Sequence, residues 1–187
     1  MRLCVIGAGY VGVVTGICFA NDDHQVTFVD VDQDKIAQLN NGVPPIYEQG
    51  LQEMLECNRG RLRATDDYTA IEDAEAIFIC VGTPSREDGS IDLSYVQDAA
   101  RQIGEHLNQF WQLVVIKSTV IPGTTEGIVT RLLEETSGRQ AGVDFSVAMN
   151  PEFLREGIAI QDFRRPDRIF IGTHDQATNK LLTELYQ

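Results

Sequence analysis

Short apolar runs rich in β-branched residues alternate along this chain with longer stretches whose apolar positions recur at helical spacing. Arg2–Gly7 reads as a strand, and Tyr10–Ala20, apolar with many small residues, as a buried helix. Gln25–Asp30, β-branched and aromatic, predicts a second strand. Asp32–Asn41 sets Ile36, Ala37 and Leu39 among polar neighbours and stops at Gly42, the pattern of a helix closed by a glycine. A short helix is predicted over Leu51–Cys57, after the Pro44-Pro45 turn. Further strands fall at Arg61–Ala64, Ala76–Val81, Leu113–Lys117, Phe145–Met149 and Arg168–Gly172. Helices fall at Leu93–Asn108, Thr125–Thr136, Gly157–Phe163 and Gln176–Gln187. This βαβα order predicts an α/β fold with a doubly wound, mostly parallel sheet, without internal linker or repeat. The last helix runs to Gln187 with no cap signal, so the chain is expected to be the N-terminal part of a longer protein.

Gly7-Ala8-Gly9-Tyr10-Val11-Gly12 lies between the first strand and the first helix. In that position the first glycine permits a tight turn, the second lets backbone approach a pyrophosphate, and the third lets helix pack on strand. Free N–H groups and the dipole at the helix start favour the anion. Asp30 ends the second strand eighteen residues after Gly12, where a carboxylate would accept the ribose hydroxyls. The whole arrangement predicts a Rossmann-like dinucleotide site over residues 1–187. Asp30 would repel a 2′-phosphate, and Val31-Asp32-Gln33-Asp34 offers no Arg to receive one, so NAD is expected over NADP. Lys35 is the nearby cation. Two later segments, Val81-Gly82-Thr83-Pro84-Ser85 and Lys117-Ser118-Thr119-Val120-Ile121-Pro122-Gly123, place hydroxyls and glycines just past buried strands. Ordinary turn chemistry would explain either alone, but together they mark the sheet end where a nicotinamide would lie.

Ionisable chemistry is concentrated in Met149-Asn150-Pro151-Glu152-Phe153-Leu154-Arg155-Glu156-Gly157. Pro151 disfavours helix at Asn150 and should end the strand there. Glu152 and Glu156, four apart, are expected on one face of a following helical turn. Arg155, Arg164, Arg165 and Arg168 stand out in an acidic chain, and pairing with Asp162 and Asp167 is their expected use.

Fifteen Lys and Arg against 28 Asp and Glu leave a net charge of −13. A surface that acidic repels phosphate backbones and anionic lipids, which argues against nucleic-acid and peripheral membrane binding. No apolar run reaches spanning length, and the N-terminus enters a strand without a charged region or cleavage site. Cys4, Cys18, Cys57 and Cys80 lack C-x-x-C spacing, and three of them fall in apolar segments. They read as reduced residues of a cytoplasmic protein without a metal site.

Gly-Ala-Gly-Tyr-Val-Gly, Val-Gly-Thr-Pro, Lys-Ser-Thr-Val-Ile-Pro-Gly-Thr and Asn-Pro-Glu-Phe-Leu-Arg-Glu-Gly together resemble the UDP-glucose/GDP-mannose dehydrogenase family. Pro44-Pro45-Ile46-Tyr47-Glu48 and Pro166-Asp167-Arg168-Ile169 extend the resemblance in order over the chain, the latter closer to the UDP-glucose branch; Gln49 departs from the family's usual Glu-Pro-Gly. The resemblance implies oxidation of a sugar CH₂OH to a carboxylate in two NAD-dependent steps, with the intermediate held on a cysteine. UDP-glucose is the expected substrate; the alternatives are GDP-mannose, a UDP-N-acetylhexosamine, or a stand-alone NAD-binding module. It implies that Gly7, Gly9, Gly12, Asp30, Lys35, Thr83, Thr119 and Glu156 touch NAD, with Ala8, Tyr10, Val11, Val81, Gly82, Pro84 and Ser118 completing the cofactor lining. It further implies that Glu152 is the acid/base residue, served by Thr119, and that Phe153, Leu154, Arg155 and Glu156 border the sugar nucleotide with it. The family's nucleophile sits in a Gly-Phe-Gly-Gly-x-Cys loop, which none of the four cysteines matches. This chain is therefore expected to be inactive and monomeric alone, within a parent that is a homodimer or larger.

Overall fold

Alternation along the strands builds two cores at once. In β1 (Arg2–Ile6), Leu3 and Val5 face one layer while Cys4 and Ile6 face the other, because successive side chains leave a strand on opposite sides. The structure, a computed structural model, describes residues 1–186. β2 (Gln25–Val29), β3 (Leu62–Thr65), β4 (Ala76–Ile79), β5 (Gln112–Ile116), β6 (Phe145–Met149) and β7 (Gly172–Thr173) complete a seven-stranded sheet of order β3-β2-β1-β4-β5-β6-β7. All neighbours run parallel except β7, which is antiparallel to β6.

On one face lie α1 (Tyr10–Asn21), α2 (Gln33–Asn40), α3 (Leu51–Cys57), α6 (Ala159–Arg164) and α7 (Gln176–Leu185). Val13, Val14, Ile17 and Phe19 of α1 pack there against Phe28, Phe78 and Val115 from the strands. The opposite face carries α4 (Ser94–His106) and α5 (Thr130–Ser137), whose Val96, Ile103 and Leu133 cover Ile77, Ile79 and Val114. Sheet register then positions the candidate chemistry. Ile6 pairs with Val29 and Ile79, Ile79 with Ile116, and Ile116 with Met149. Gly7, Asp30, Cys80, Lys117 and Asn150 therefore leave the sheet side by side, at its carboxyl edge.

Three expected elements change. The helical turn predicted to start at Gly157 begins at Ala159, since Gly157 holds φ +90°, outside helical geometry, and the Leu154 N–H is taken by the Glu152 carboxylate. Glu152 and Glu156 consequently do not share a helical face. The strand predicted over Arg168–Gly172 is confined to Gly172–Thr173. Its earlier residues leave the edge: Phe170 packs on Phe153 at 5.5 Å and gives its carbonyl to Asn150 Nδ2 at 2.8 Å. The helix predicted from Thr125 opens with a π-helical turn, Thr124–Val129, before α5 proper. Gln187, the last residue of the predicted terminal helix, lies outside the described residues.

Candidate functional site

Gly7 turns the chain out of β1 with φ +99°, where a Cβ would fall 2.9 Å from the Cys80 carbonyl oxygen. α1 then sits directly on that turn: a Cβ on Gly12 would lie 1.9 Å from Gly7 O. Gly9 meets nothing within 4 Å, which leaves the approach to the start of α1 open. No side chain caps this helix and its first turn holds no acidic residue. Its first N–H groups, which have no partner within the helix, and its positive dipole end therefore face the opening, a combination that fits a pyrophosphate.

Asp30 stands beside this turn. Its carboxylate accepts from Ala8 N at 2.5 Å and from Asp32 N at 2.9 Å, one bond per oxygen. A carboxylate offers about four lone-pair sites, so capacity remains on both oxygens for a ribose diol. The same two bonds fix the carboxylate rigidly at the edge. Lys35 enters the first turn of α2 and pairs loosely with Asp32 at 3.8 Å. Val31, 86% exposed, adds an apolar surface next to Asp30.

Past β4, Val81 and Thr83 are half-buried and Gly82 and Pro84 exposed. Ser118 is buried, and its hydroxyl donates to Val81 O at 2.6 Å, tying the loop after β5 to the loop after β4. Thr119, the next residue, is exposed at this edge. Deeper between the loops, a cavity of about 390 Å³ is lined by Lys117, Asn150, Glu152, Phe153, Leu154 and Tyr186, among others. Lys117 is buried, with Nζ 3.2 Å from Asn150 Oδ1 and 3.1 Å from the Tyr186 hydroxyl, which itself donates to Asn150 Oδ1 at 2.6 Å. Glu152 is half-buried in the cavity wall; Thr119 and Glu156 lie outside that wall.

The arginines divide. Arg155 forms a 2.7 Å pair with Asp162 and holds that carboxyl below its ordinary range, while Arg168 stacks over the Phe153 ring at 5.4 Å. Asp167, the other expected partner, makes no ion pair among the described residues. Burial pushes the thiols of Cys4, Cys18 and Cys80 up to about 12, so none of these is a nucleophile near neutral pH. At Cys80 neighbouring Lys117 pulls down and Glu152 pushes up, without undoing the effect of burial.

Sequence patterning gives no role to three side chains that the structure makes central: Glu48, Lys117 and Tyr186. Lys117 had a visible signal, a lone cation closing a fully buried strand. Glu48 and Tyr186 had none, because their partners lie far away in sequence.

Comparison with known proteins agrees with the geometry. The sequence model of the UDP-glucose/GDP-mannose dehydrogenase family, NAD binding domain, matches residues 1–187. A UDP-glucose 6-dehydrogenase of Haloferax volcanii is 47% identical over 189 residues, covering 100% of this chain and 44% of the relative. The GDP-mannose 6-dehydrogenase of Pseudomonas aeruginosa is 44% identical, again over 100% of this chain and 44% of its own length. A crystal structure of a ternary complex of GDP-mannose dehydrogenase from Pseudomonas aeruginosa superposes with a TM-score of 0.97 at 44% identity, covering 100% of this chain and 44% of that one. The chain thus spans less than half the length of the curated relatives it matches. With the glycine turn, the Asp30 carboxylate and the strand ends all on one edge, the chain belongs to the UDP-glucose/GDP-mannose dehydrogenase family and is its NAD-binding domain.

Proposed function

We propose that residues 1–187 are the N-terminal domain of an enzyme that oxidises the CH₂OH of a nucleotide sugar to a carboxylate, with UDP-glucose as substrate and UDP-glucuronate as product. NAD held by the glycine turn and Asp30 would supply the hydride acceptor for each of the two oxidations. Support for UDP-glucose comes from the Pro166-Asp167-Arg168-Ile169 segment and from 47% identity to a UDP-glucose 6-dehydrogenase, set against 44% to a GDP-mannose 6-dehydrogenase. The single observation that carries the reading is the cavity at the cofactor edge, where Glu152, Phe153 and Leu154 meet the buried cation of Lys117. Such a cavity offers a proton acceptor and apolar walls to a substrate lying against the nicotinamide side.

In this reading Gly7, Ala8, Gly9, Tyr10, Val11 and Gly12 seat the pyrophosphate, and Asp30 holds the ribose with Lys35 nearby. Val81, Gly82, Thr83, Pro84, Ser118, Thr119 and Glu156 line the nicotinamide end. Phe153, Leu154, Arg155 and Glu156 border the sugar nucleotide. Glu152 takes the proton of a water held by Thr119, and that water attacks a thioester formed on a cysteine outside residues 1–187. The products are the free carboxylate and the regenerated thiol, and the proton passes to Glu152 and then to solvent. We place the parent enzyme in the cytoplasm as a homodimer or larger assembly, and the domain alone without turnover.

The full-length parent tests this reading. It should reduce NAD with UDP-glucose in preference to GDP-mannose or a UDP-N-acetylhexosamine. Losing a general base costs about 10²–10⁴ in rate, so Glu152→Gln should slow turnover on that order and accumulate a covalent sugar–enzyme adduct visible by intact-mass spectrometry. A Glu152→Gln enzyme that turns over at the parent rate without adduct would show Glu152 to be a turn residue only.

A further inference from the structure

Glu48 is a carboxylate that sequence patterning left as part of a turn, yet it is only 4% exposed. It comes from the segment between α2 and α3 and gathers donors from two other parts of the chain. Oε2 accepts from the Tyr10 hydroxyl at 2.5 Å and from Gly157 N at 2.8 Å, and Oε1 accepts from Ala159 N at 3.0 Å. These partners lie 38, 109 and 111 residues away in sequence. Tyr10 is the first residue of α1, the helix whose uncapped N-terminus is the proposed seat of the cofactor pyrophosphate. Gly157 and Ala159 close the segment that carries Glu152 and Glu156, and Ile158, which caps α6, supplies no side-chain acceptor. Glu48 thereby accepts from two backbone donors of the turn that leads into α6, the Ala159 N–H being buried there.

We infer that Glu48 is a positioning residue that couples the seating of NAD on α1 to the order of the Asn150–Ala159 segment. The link is the shared oxygen: the Tyr10 hydroxyl reaches Oε2 only when the first turn of α1 is in place, and Oε2 also holds Gly157. Burial and this same hydrogen bond raise the Tyr10 pKa, so the hydroxyl stays a donor across the working pH range. A dinucleotide that fixes the first turn of α1 strengthens the grip on Gly157, and by reciprocity an ordered segment favours the dinucleotide. The argument rests on NAD binding by this domain and not on the identity of the sugar nucleotide.

Amide hydrogen exchange of the 187-residue chain, with and without saturating NAD, tests the coupling, and calorimetry on the same samples reports cofactor binding independently. In the wild type NAD should slow exchange at Gly157 and Ala159 about five-fold or more, the low end of typical coupling. Glu48→Gln keeps the shape but turns one acceptor into a donor, and should abolish that slowing and weaken NAD about five-fold or more. Tyr10→Phe retains both backbone bonds to Glu48, so exchange without NAD should match the wild type while the NAD-dependent slowing is lost. Should Glu48→Gln fail to fold, the Tyr10→Phe arm decides. Full slowing in Tyr10→Phe would mean that NAD orders the segment directly, and would overturn the coupling. A wild type that binds NAD without slowing these amides would overturn it while leaving the cofactor assignment standing; a wild type that binds no NAD would overturn both.

Discussion

At Gly12 one methyl group decides whether the cofactor turn can form. The atom that a Cβ would strike, 1.9 Å away, is the backbone oxygen of Gly7, which cannot rotate aside. Gly12→Ala should therefore cost about 1–3 kcal/mol, as overpacking does, seen as a lower urea midpoint, and should remove NAD binding with it. Gly9→Ala meets no neighbour within 4 Å and sits in extended backbone, so stability should hold within about 0.5 kcal/mol while NAD affinity falls. Equal stability losses in the two variants would contradict the distinction between a packing glycine and an approach glycine. Asp30→Ala should narrow the preference for NAD over NADP, since on the proposed reading it removes the ribose acceptor and the repulsion of a 2′-phosphate together. The placement of these residues side by side was legible in the sequence because it follows from local order: strand, glycines, helix, strand, acid. Glu48 was not, because its meaning depends on partners brought up by the fold.

Helices and long strands were legible for a similar reason, each having its own apolar period. What the period could not supply was the effect of a single special backbone angle or a distant pairing. Gly157 at φ +90° delays α6 and separates Glu152 from Glu156, and β7 shrinks because Phe170 binds Asn150 rather than the neighbouring strand. Asp175 caps the N-terminus of α7. Burial acts to raise the Asp175 pKa, but bonds from Thr178 N at 2.7 Å, Ser146 Oγ at 3.2 Å and Thr173 Oγ1 at 3.4 Å outweigh it, and the carboxyl ends below its ordinary value. A depressed carboxyl stabilises the fold above its ordinary pKa of about 3.9, and that contribution is lost as pH falls through the lower, folded value. Asp175→Ala should cost about 1 kcal/mol at pH 7, as losing an N-cap does, and the gap to the wild type should shrink on acidification. A gap independent of pH, followed by urea midpoints between pH 7 and pH 2, would show that charge plays no part.

For the whole molecule, the sheet order and register bring the glycine turn, Asp30 and the three later strand ends to one edge, and two apolar layers enclose Cys4, Cys18 and Cys80. Ellman titration of the native chain should label Cys57 alone rapidly, since only that thiol is exposed, and all four should react after denaturation. Rapid labelling of a second thiol would mean that one of the layers opens. Fold class and cofactor were legible at this scale because the βαβα order leaves few other topologies; the cavity around Lys117 was not, since β5, β6 and α7 meet there only after folding. The central claim is that this edge is an NAD site selected by Asp30. Calorimetric titration of the 187-residue chain with NAD and with NADP tests it most directly. The account predicts saturable NAD binding at one site with NADP at least about ten-fold weaker, a difference of about 1.4 kcal/mol; NADP binding as tight as NAD, or no binding of either, would contradict it.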